Sequence, residues 1–258
     1  MPEPQQLLVS VITVCFNSAA YIADALHSVD IQTFQAREHI VVDGASTDAT
    51  LRIVGEHRQA WRRVVSEPDL GIYDAMNNGL ALAQGDVVGF INSDDFYASP
   101  DALAKVAKVF ADSSVDACYG DLCYVKQDQP DQVVRYWRSS AFQPGLFRTG
   151  WCPPHPTFFV RRSVYERLGG FDLGYRMAND IELMARFMEV HRVKTLYLPE
   201  LLVKMRMGGA SNRNWSAVLL QNREIWRAMK THQMEPALLP FVVGKLLSRG
   251  RQFLTRPA

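Results

Sequence analysis

Apolar, largely β-branched residues fill positions 7–16, the pattern of a strand buried on both faces. Asn17 and Ser18 then offer a helix cap, and Ile22, Ala25, Leu26 and Val29 recur at helical spacing, predicting a helix over 21–32. Residues 39–42 predict a second strand ending at Asp43-Gly44, and 46–56 a second helix. A short third strand over 63–65, a third helix over 72–83 closed by Gly85, and a fourth strand over 87–91 follow. Such alternation with short loops implies a parallel sheet covered on both faces, which binds ligands outside the carboxyl ends of its strands. Asn17, Asp43 and the turn 92–95 all fall at that edge.

The second half is less periodic. It predicts a helix over 102–110, a strand over 117–125, a polar stretch over 126–132 and an irregular segment over 150–156 containing three prolines. A strand over 158–160, a helix over 180–190, a strand over 193–198 and a helix over 215–230 follow, before a tail over 236–258. No repeat or low-complexity segment divides the chain. The expected organisation is an α/β domain over residues 1–212 and a C-terminal helical extension over 213–258.

Composition narrows the ligands. A net charge of +1 over 258 residues supplies no global field for nucleic acid, so an anionic ligand needs a local site. Cys15, Cys118, Cys123 and Cys152 lack zinc-ligand spacing and read as reduced thiols. Residues 1–6 lack the basic start and apolar core of a leader, and no apolar run approaches the roughly 20 residues that span a bilayer. A cytoplasmic protein is expected. The tail carries Lys245, Arg249, Arg251 and Arg256 among Leu, Phe and Val with no acidic residue. It suits either an anionic membrane surface or packing on the core.

The densest candidate chemistry is Asn92-Ser93-Asp94-Asp95, directly after the apolar run 87–91. Carboxylates at a strand end can hold a divalent cation, and the cation a diphosphate. A solvated turn, or a cap for the helix after Pro100, is the simpler reading of these residues alone.

Ordered context adds to them. The runs Val9-Ser10-Val11-Ile12-Thr13-Val14 with Asn17, and Val41-Val42-Asp43-Gly44-Ala45-Ser46-Thr47-Asp48, precede residues 67–79, which include Asp69, Gly71, Asp74, Asn77 and Asn78. Then come Gly89 to Asp95, His155-Pro156-Thr157, Leu168-Gly169-Gly170-Phe171-Asp172, and Asn179-Asp180 opening a helix. In this order, over about residues 7–212, the chain resembles the inverting, nucleotide-sugar-dependent glycosyltransferases of family 2, with a GT-A fold. Residues 71–79 and 207–211 look most like bacterial members that build surface polysaccharides.

The resemblance implies a mostly parallel, Rossmann-like sheet with helices on both faces. It implies that Thr13 and Val14 line a base site, with Asn17 at the same strand end, and that Asp43 accepts from a uracil ring. A desolvated carboxylate reads a ring N–H well; a plain turn after a strand is the alternative. Asp48 either serves the same ligand or sits favourably at a helix start. Asp69, Gly71 and Asp74 border nucleotide and donor sugar, although Asp69 would also cap the following helix. Asn92, Ser93 and Asp94 face the donor, with Asp94, aided by Asp95, holding Mg²⁺ or Mn²⁺. Asn92 stands where the family's signature begins with a carboxylate.

Asp180 is the implied general base, with Glu182 as substitute, and Asn179 replaces the usual first acidic residue. His155, Asn179, Arg206 and Ser211 are implied near acceptor or diphosphate. The reaction expected is transfer of one sugar from a UDP-sugar to a glycan or lipid-linked acceptor in polysaccharide biosynthesis, since the Gln-x-x-Arg-Trp signature of processive members is missing. A non-catalytic nucleotide-sugar-binding subunit is the alternative.

Overall fold

A computed structural model describes residues 7–208, 215–235 and 238–254. The expectations for residues 1–6, Ser211 and Arg256 lie outside these. The first half alternates as its periodicity implies: β1 (Val9–Cys15), α1 (Ile22–Asp30), β2 (Arg37–Asp43), α2 (Thr50–Glu56), β3 (Arg62–Ser66), α3 (Ile72–Leu82) and β4 (Val87–Phe90). All seven residues of β1 are buried, as a two-faced strand requires. Then come β5 (Phe96–Tyr97), α4 (Ala102–Phe110), β6 (Ala117–Val125), β7 (Val133–Trp137), β8 (Phe159–Arg161) and α5 (Arg162–Leu168). The last elements are α6 (Asn179–Ala185), continued by a π-helical turn at Arg186–Val190, β9 (Thr195–Arg206), α7 (Trp215–Thr231) and α8 (Leu238–Leu254).

One sheet runs in the order β3-β2-β1-β4-β8-β6-β9-β5, with β7 paired to β6. Strands β3, β2, β1 and β4 are parallel, and their pairing sets Cys15 beside Asp43 and Asp43 beside Ser66. This alignment gathers the polar strand ends at one edge. β8 then runs antiparallel to β4 and β6, so the second half is mixed. One core layer joins Ile12, Val14 and Phe90 to Met76 of α3 and Leu183 of α6. The opposite layer joins Val9 and Val11 to Val29 of α1 and Leu103 of α4.

Several boundaries differ from expectation for local reasons. Asn17 is not a helix cap: it takes φ 49°, and the Ser18 carbonyl receives the N–H groups of Tyr21 and Ile22. α2 begins at Thr50 because residues 43–48 form a hydrogen-bonded loop. Gly85 closes no helix either. Its N–H donates to Ser10 Oγ (2.8 Å), and a Cβ there would lie 2.7 Å from the Ser10 nitrogen. β9 runs past Pro199 because the β6–β9 register shifts between Tyr119 and Asp121, which spares the proline a ladder bond.

Candidate active site

The loop after β2 is organised by Asp43, which is fully buried. One carboxylate oxygen accepts from Ser46 Oγ and lies 3.5 Å from Cys15 Sγ; the other accepts from Ser46 N (2.9 Å) and Ser66 Oγ (2.7 Å). These donors occupy the acceptor positions of a carboxylate and hold Ala45 at φ 61°, an uncommon conformation for a residue with a Cβ. Asn17 joins this loop to the end of β1, donating from its backbone to Ser46 Oγ (2.8 Å) and accepting from Thr47 N (2.9 Å). Asp48 accepts from Thr50 N (2.9 Å) and Ala19 N (3.1 Å), and hydrogen bonding by Thr50 lowers its pKa.

Thr13 and Val14 are placed differently from the expectation that they line a base site. Both are buried, Thr13 against His39 and Val14 in the core beneath α3. The exposed ring at this strand end is Phe16, 63% accessible. Beside it lies Gly44, where a Cβ would come within 3.5 Å of the Phe16 ring and 3.2 Å of Asp69 Cγ. Asp69 also accepts from Gly71 N (2.8 Å), and Asp74 from Leu70 N (2.9 Å), so both carboxylates brace the turn into α3. Gly71 itself takes φ 120°, which a side chain would strain. Asn77 is a clamp: its amide exchanges two 2.9 Å hydrogen bonds with the backbone of Phe171.

The turn 92–95 is tied to the loop after β1 through Ser93 Oγ, 2.8 Å from Ser18 Oγ. Asp94 is half-buried, and burial raises its pKa. Asp95 is fully buried, accepts from Arg206 N (3.3 Å), and is pushed well upward by burial and then by Asp94. Arg206 is only 4% exposed. Its guanidinium donates to the Asp24 carboxylate, the Asp94 carbonyl (2.9 Å) and the Gln127 carbonyl (3.2 Å), between the rings of Tyr21 and Phe96. Rather than facing a diphosphate, Arg206 locks the turn from behind.

Asp180 stands in the first turn of α6, half-buried, with Tyr73 OH 3.4 Å from Oδ1. Its surroundings are aromatic. Tyr73 stacks on Phe171, Phe171 meets Phe90 edge-on, and His155 stacks on Phe90. Phe90 ends β4, so this cluster adjoins the turn that carries Asp94. Burial holds the His155 pKa below its usual value, partly countered by Asp180. Burial, then Asp180, push the Cys152 thiol up to about 12, leaving no thiolate.

Residues 10–169 match the sequence model of glycosyl transferase family 2. The chain belongs to glycosyl transferase family 2. A PGL/p-HBAD biosynthesis glycosyltransferase of Mycobacterium bovis is 31% identical over 212 residues, spanning 79% of this chain and 78% of that protein. An uncharacterised glycosyltransferase of Mycobacterium tuberculosis is 32% identical over 180 residues, 69% of this chain and 68% of its own. Among solved structures, Staphylococcus aureus TarS 1–349 superposes with TM-score 0.67 at 20% identity, covering 96% of this chain and 71% of that one. The mannosyltransferase PcManGT of Pyrobaculum calidifontis, in complex with GDP-Man and Mn²⁺, gives 0.65 at 22% identity, covering 98% and 72%. The fold is the α/β GT-A fold of these enzymes.

For this family 2 glycosyltransferase, two further expectations change. Glu182 is no free base: it is buried and accepts from Arg186 Nε (2.9 Å) and His232 Nε2 (2.7 Å). Asn179 is fully buried, its Oδ1 accepting from Asp172 N (3.0 Å), so it anchors a loop. No three His, Cys, Asp or Glu side chains converge as a metal cage among the described residues. A partial set does exist. No side-chain donor reaches the Asp94 carboxylate among these residues, and Asn92 Oδ1 is buried without a partner. Asp95, expected to share the metal with Asp94, is instead fully buried and accepts from Arg206 N and Asn92 Nδ2. Oxygens such as those of Asp94 and Asn92 suit a hard cation, which keeps waters and takes phosphate oxygens as further ligands.

Sequence reasoning missed three positioning groups. Phe16 carried the signal of an apolar residue past the end of a buried strand. Tyr73 sat inside a motif already singled out. Glu224 of α7 carried none: it accepts from the N–H groups of Arg176 (3.0 Å), Met177 (2.7 Å) and Ala178 (3.1 Å), fixing the backbone that enters α6 just before Asp180.

Proposed function

We propose that this glycosyltransferase moves one sugar, with inversion, from a nucleotide-sugar (by preference a UDP-sugar) to a glycan or lipid-linked acceptor in polysaccharide or glycolipid synthesis at the cytoplasmic face. TarS binds UDP and UDP-GlcNAc, PcManGT binds GDP-Man, and the mycobacterial relative serves glycolipid synthesis by its name. The observation that carries the reading is Asp180: a half-buried carboxylate free of any ion pair among the described residues, at a helix start beside an aromatic wall.

In this mechanism Asp180 removes the proton from the acceptor hydroxyl as its oxygen attacks the anomeric carbon. The bond from that carbon to the diphosphate oxygen breaks on the opposite side. Tyr73 orients the carboxylate, and the Phe90–His155–Phe171 wall limits water around it. The nucleobase rests against Phe16 and the loop that Asp43 organises, while Asn17, Asp48 and Asp69 hold that loop's neighbours in register. Ser93 and Asp94 border the diphosphate. Asp94 and Asn92 would hold a Mg²⁺ or Mn²⁺, which would supply electrostatic stabilisation to the departing nucleoside diphosphate.

The test measures UDP binding by calorimetry and UDP release from a donor panel with chosen acceptors. Asp180→Asn should bind UDP as the parent does and lose about 10²-fold or more in transfer, the usual range for a general base. Full activity in that variant overturns the base assignment. Activity indifferent to EDTA overturns the cation's role. UDP binding without transfer to any acceptor points to a binding subunit.

A further inference from the structure

The inward side of α8 is tightly seated. Phe241 and Gln252 are buried, a Cβ on Gly244 would overlap the Thr149 carbonyl, and one on Gly150 would come within 2.9 Å of the Phe241 carbonyl. The outward side of such a helix is ordinarily polar. Here it carries Leu239, Val242, Val243, Leu247 and Phe253, with exposures from 43% (Val243) to 74% (Leu239). At about 100° per residue these five fall in one arc of roughly 140°. Large exposed apolar patches mark docking surfaces more often than they occur by chance.

Charge indicates what covers this one. Arg249 borders the arc and, with Arg223 and Trp226 of α7, lines an open groove of about 430 Å³ between the helices. Neither arginine pairs with a carboxylate among the described residues, and positions 236–258 contain no Asp or Glu. Lys245 is engaged separately, donating to Asn222 Oδ1 (2.6 Å). A second copy of this face would oppose the same cations to one another. An anionic bilayer complements both its charge and its apolar row.

We propose that α8 docks this glycosyltransferase on an anionic membrane surface. The row from Leu239 to Phe253 enters the boundary between headgroups and acyl chains, while Arg223 and Arg249 take lipid phosphate oxygens in the α7–α8 groove. The helix lies in the interface: no helix among the described residues is long and apolar enough to cross a membrane. Trp226 beside the groove suits the headgroup level. Gly150 and Cys152 line one cavity together with Phe241 of α8 and Ile181, the residue after Asp180, so the docking helix packs on the part of the fold that carries Asp180. The inference rests on the transfer reading only for its purpose, delivery of a lipid-linked acceptor. Its test uses neither donor nor acceptor, so its failure leaves that reading standing.

The full chain is sedimented with vesicles of phosphatidylcholine alone or mixed with phosphatidylglycerol. Binding is expected to the mixed vesicles only, and to weaken as salt rises. Arg223→Ala and Arg249→Ala should each lower affinity about fivefold. The double variant Val243→Asp, Leu247→Asp should abolish binding with an unchanged melting temperature, since both side chains face outward. Equal binding to neutral vesicles, or none to either, overturns the proposal. So does a dimer in velocity sedimentation that the double variant dissolves without any lipid binding.

Discussion

The Tyr73 hydroxyl lies 3.4 Å from Asp180 Oδ1, joining the first turn of α3 to the first turn of α6 across 107 residues of sequence. Burial, then the charge of Asp180, raise the Tyr73 phenol well above its usual pKa, so it stays a donor throughout the physiological range. A bond this long adds little binding energy. Its contribution is to orientation.

Removing that hydroxyl should therefore affect turnover more than substrate binding. Tyr73→Phe keeps the stack on Phe171 and deletes only the donor. We expect kcat to fall about two- to tenfold, the worth of one hydrogen bond weakened by its length, with donor KM unchanged, as read from initial rates of UDP release. An unaltered kcat would assign the orientation of Asp180 to its backbone and Glu224 alone.

Arg206 distinguishes a structural cation from a phosphate ligand. Its buried guanidinium bridges Asp24 and two main-chain carbonyls, and its own N–H meets Asp95. The Asp24 side chain is largely exposed, which discounts the ion pair, so most of the loss comes from the two carbonyls left without a donor. Arg206→Ala should destabilise the fold by about 3 kcal/mol, lowering the melting temperature by roughly 5–10 °C in the absence of ligand. A variant that melts like the parent but binds UDP more weakly would restore the diphosphate role.

What could be read from the sequence divides along physical lines. Strand–helix alternation up to Ile91 was legible because most of its elements, the partly exposed β3 apart, are amphipathic or two-faced in their own right, and the polar residues that end β1, β2 and β4 needed only parallel pairing to be gathered at one edge. The edge strand β7 was not legible: Val133 and Val134 are exposed, and the strand exists only by pairing with β6. Side-chain direction was also beyond reach. Thr13 and Arg206 occupy the positions the family motifs lead one to expect, yet each faces inward to a partner supplied by a distant segment, His39 and Asp24. Motif order locates a residue near a site. Whether it touches a ligand depends on partners that the motif does not contain.

His39 predicts how the base of this sheet responds to acid. It is a residue of β2, fully buried beside β1, with Nδ1 accepting from Arg62 Nε (3.0 Å) and Nε2 2.9 Å from Thr13 Oγ1. Because Arg62 Nε can only donate, the ring proton belongs on Nε2 and the imidazole is neutral. Burial, then the charges of Arg62 and Arg37, hold its pKa well below 6.5. The unfolded chain therefore binds a proton near pH 6.5 that the folded chain refuses. Stability is full above that pH and falls as the pH drops below it, by up to about 1.4 kcal/mol per pH unit for this one site. His155, also depressed by burial, acts in the same direction. His39→Gln should flatten the fall of melting temperature between pH 6.5 and 5.5, a comparison in which the opposing contribution of Asp95, whose raised pKa favours the folded chain as pH drops, is common to both proteins. A slope identical in the variant would show that His39 is already protonated when folded, which the Arg62 contact forbids.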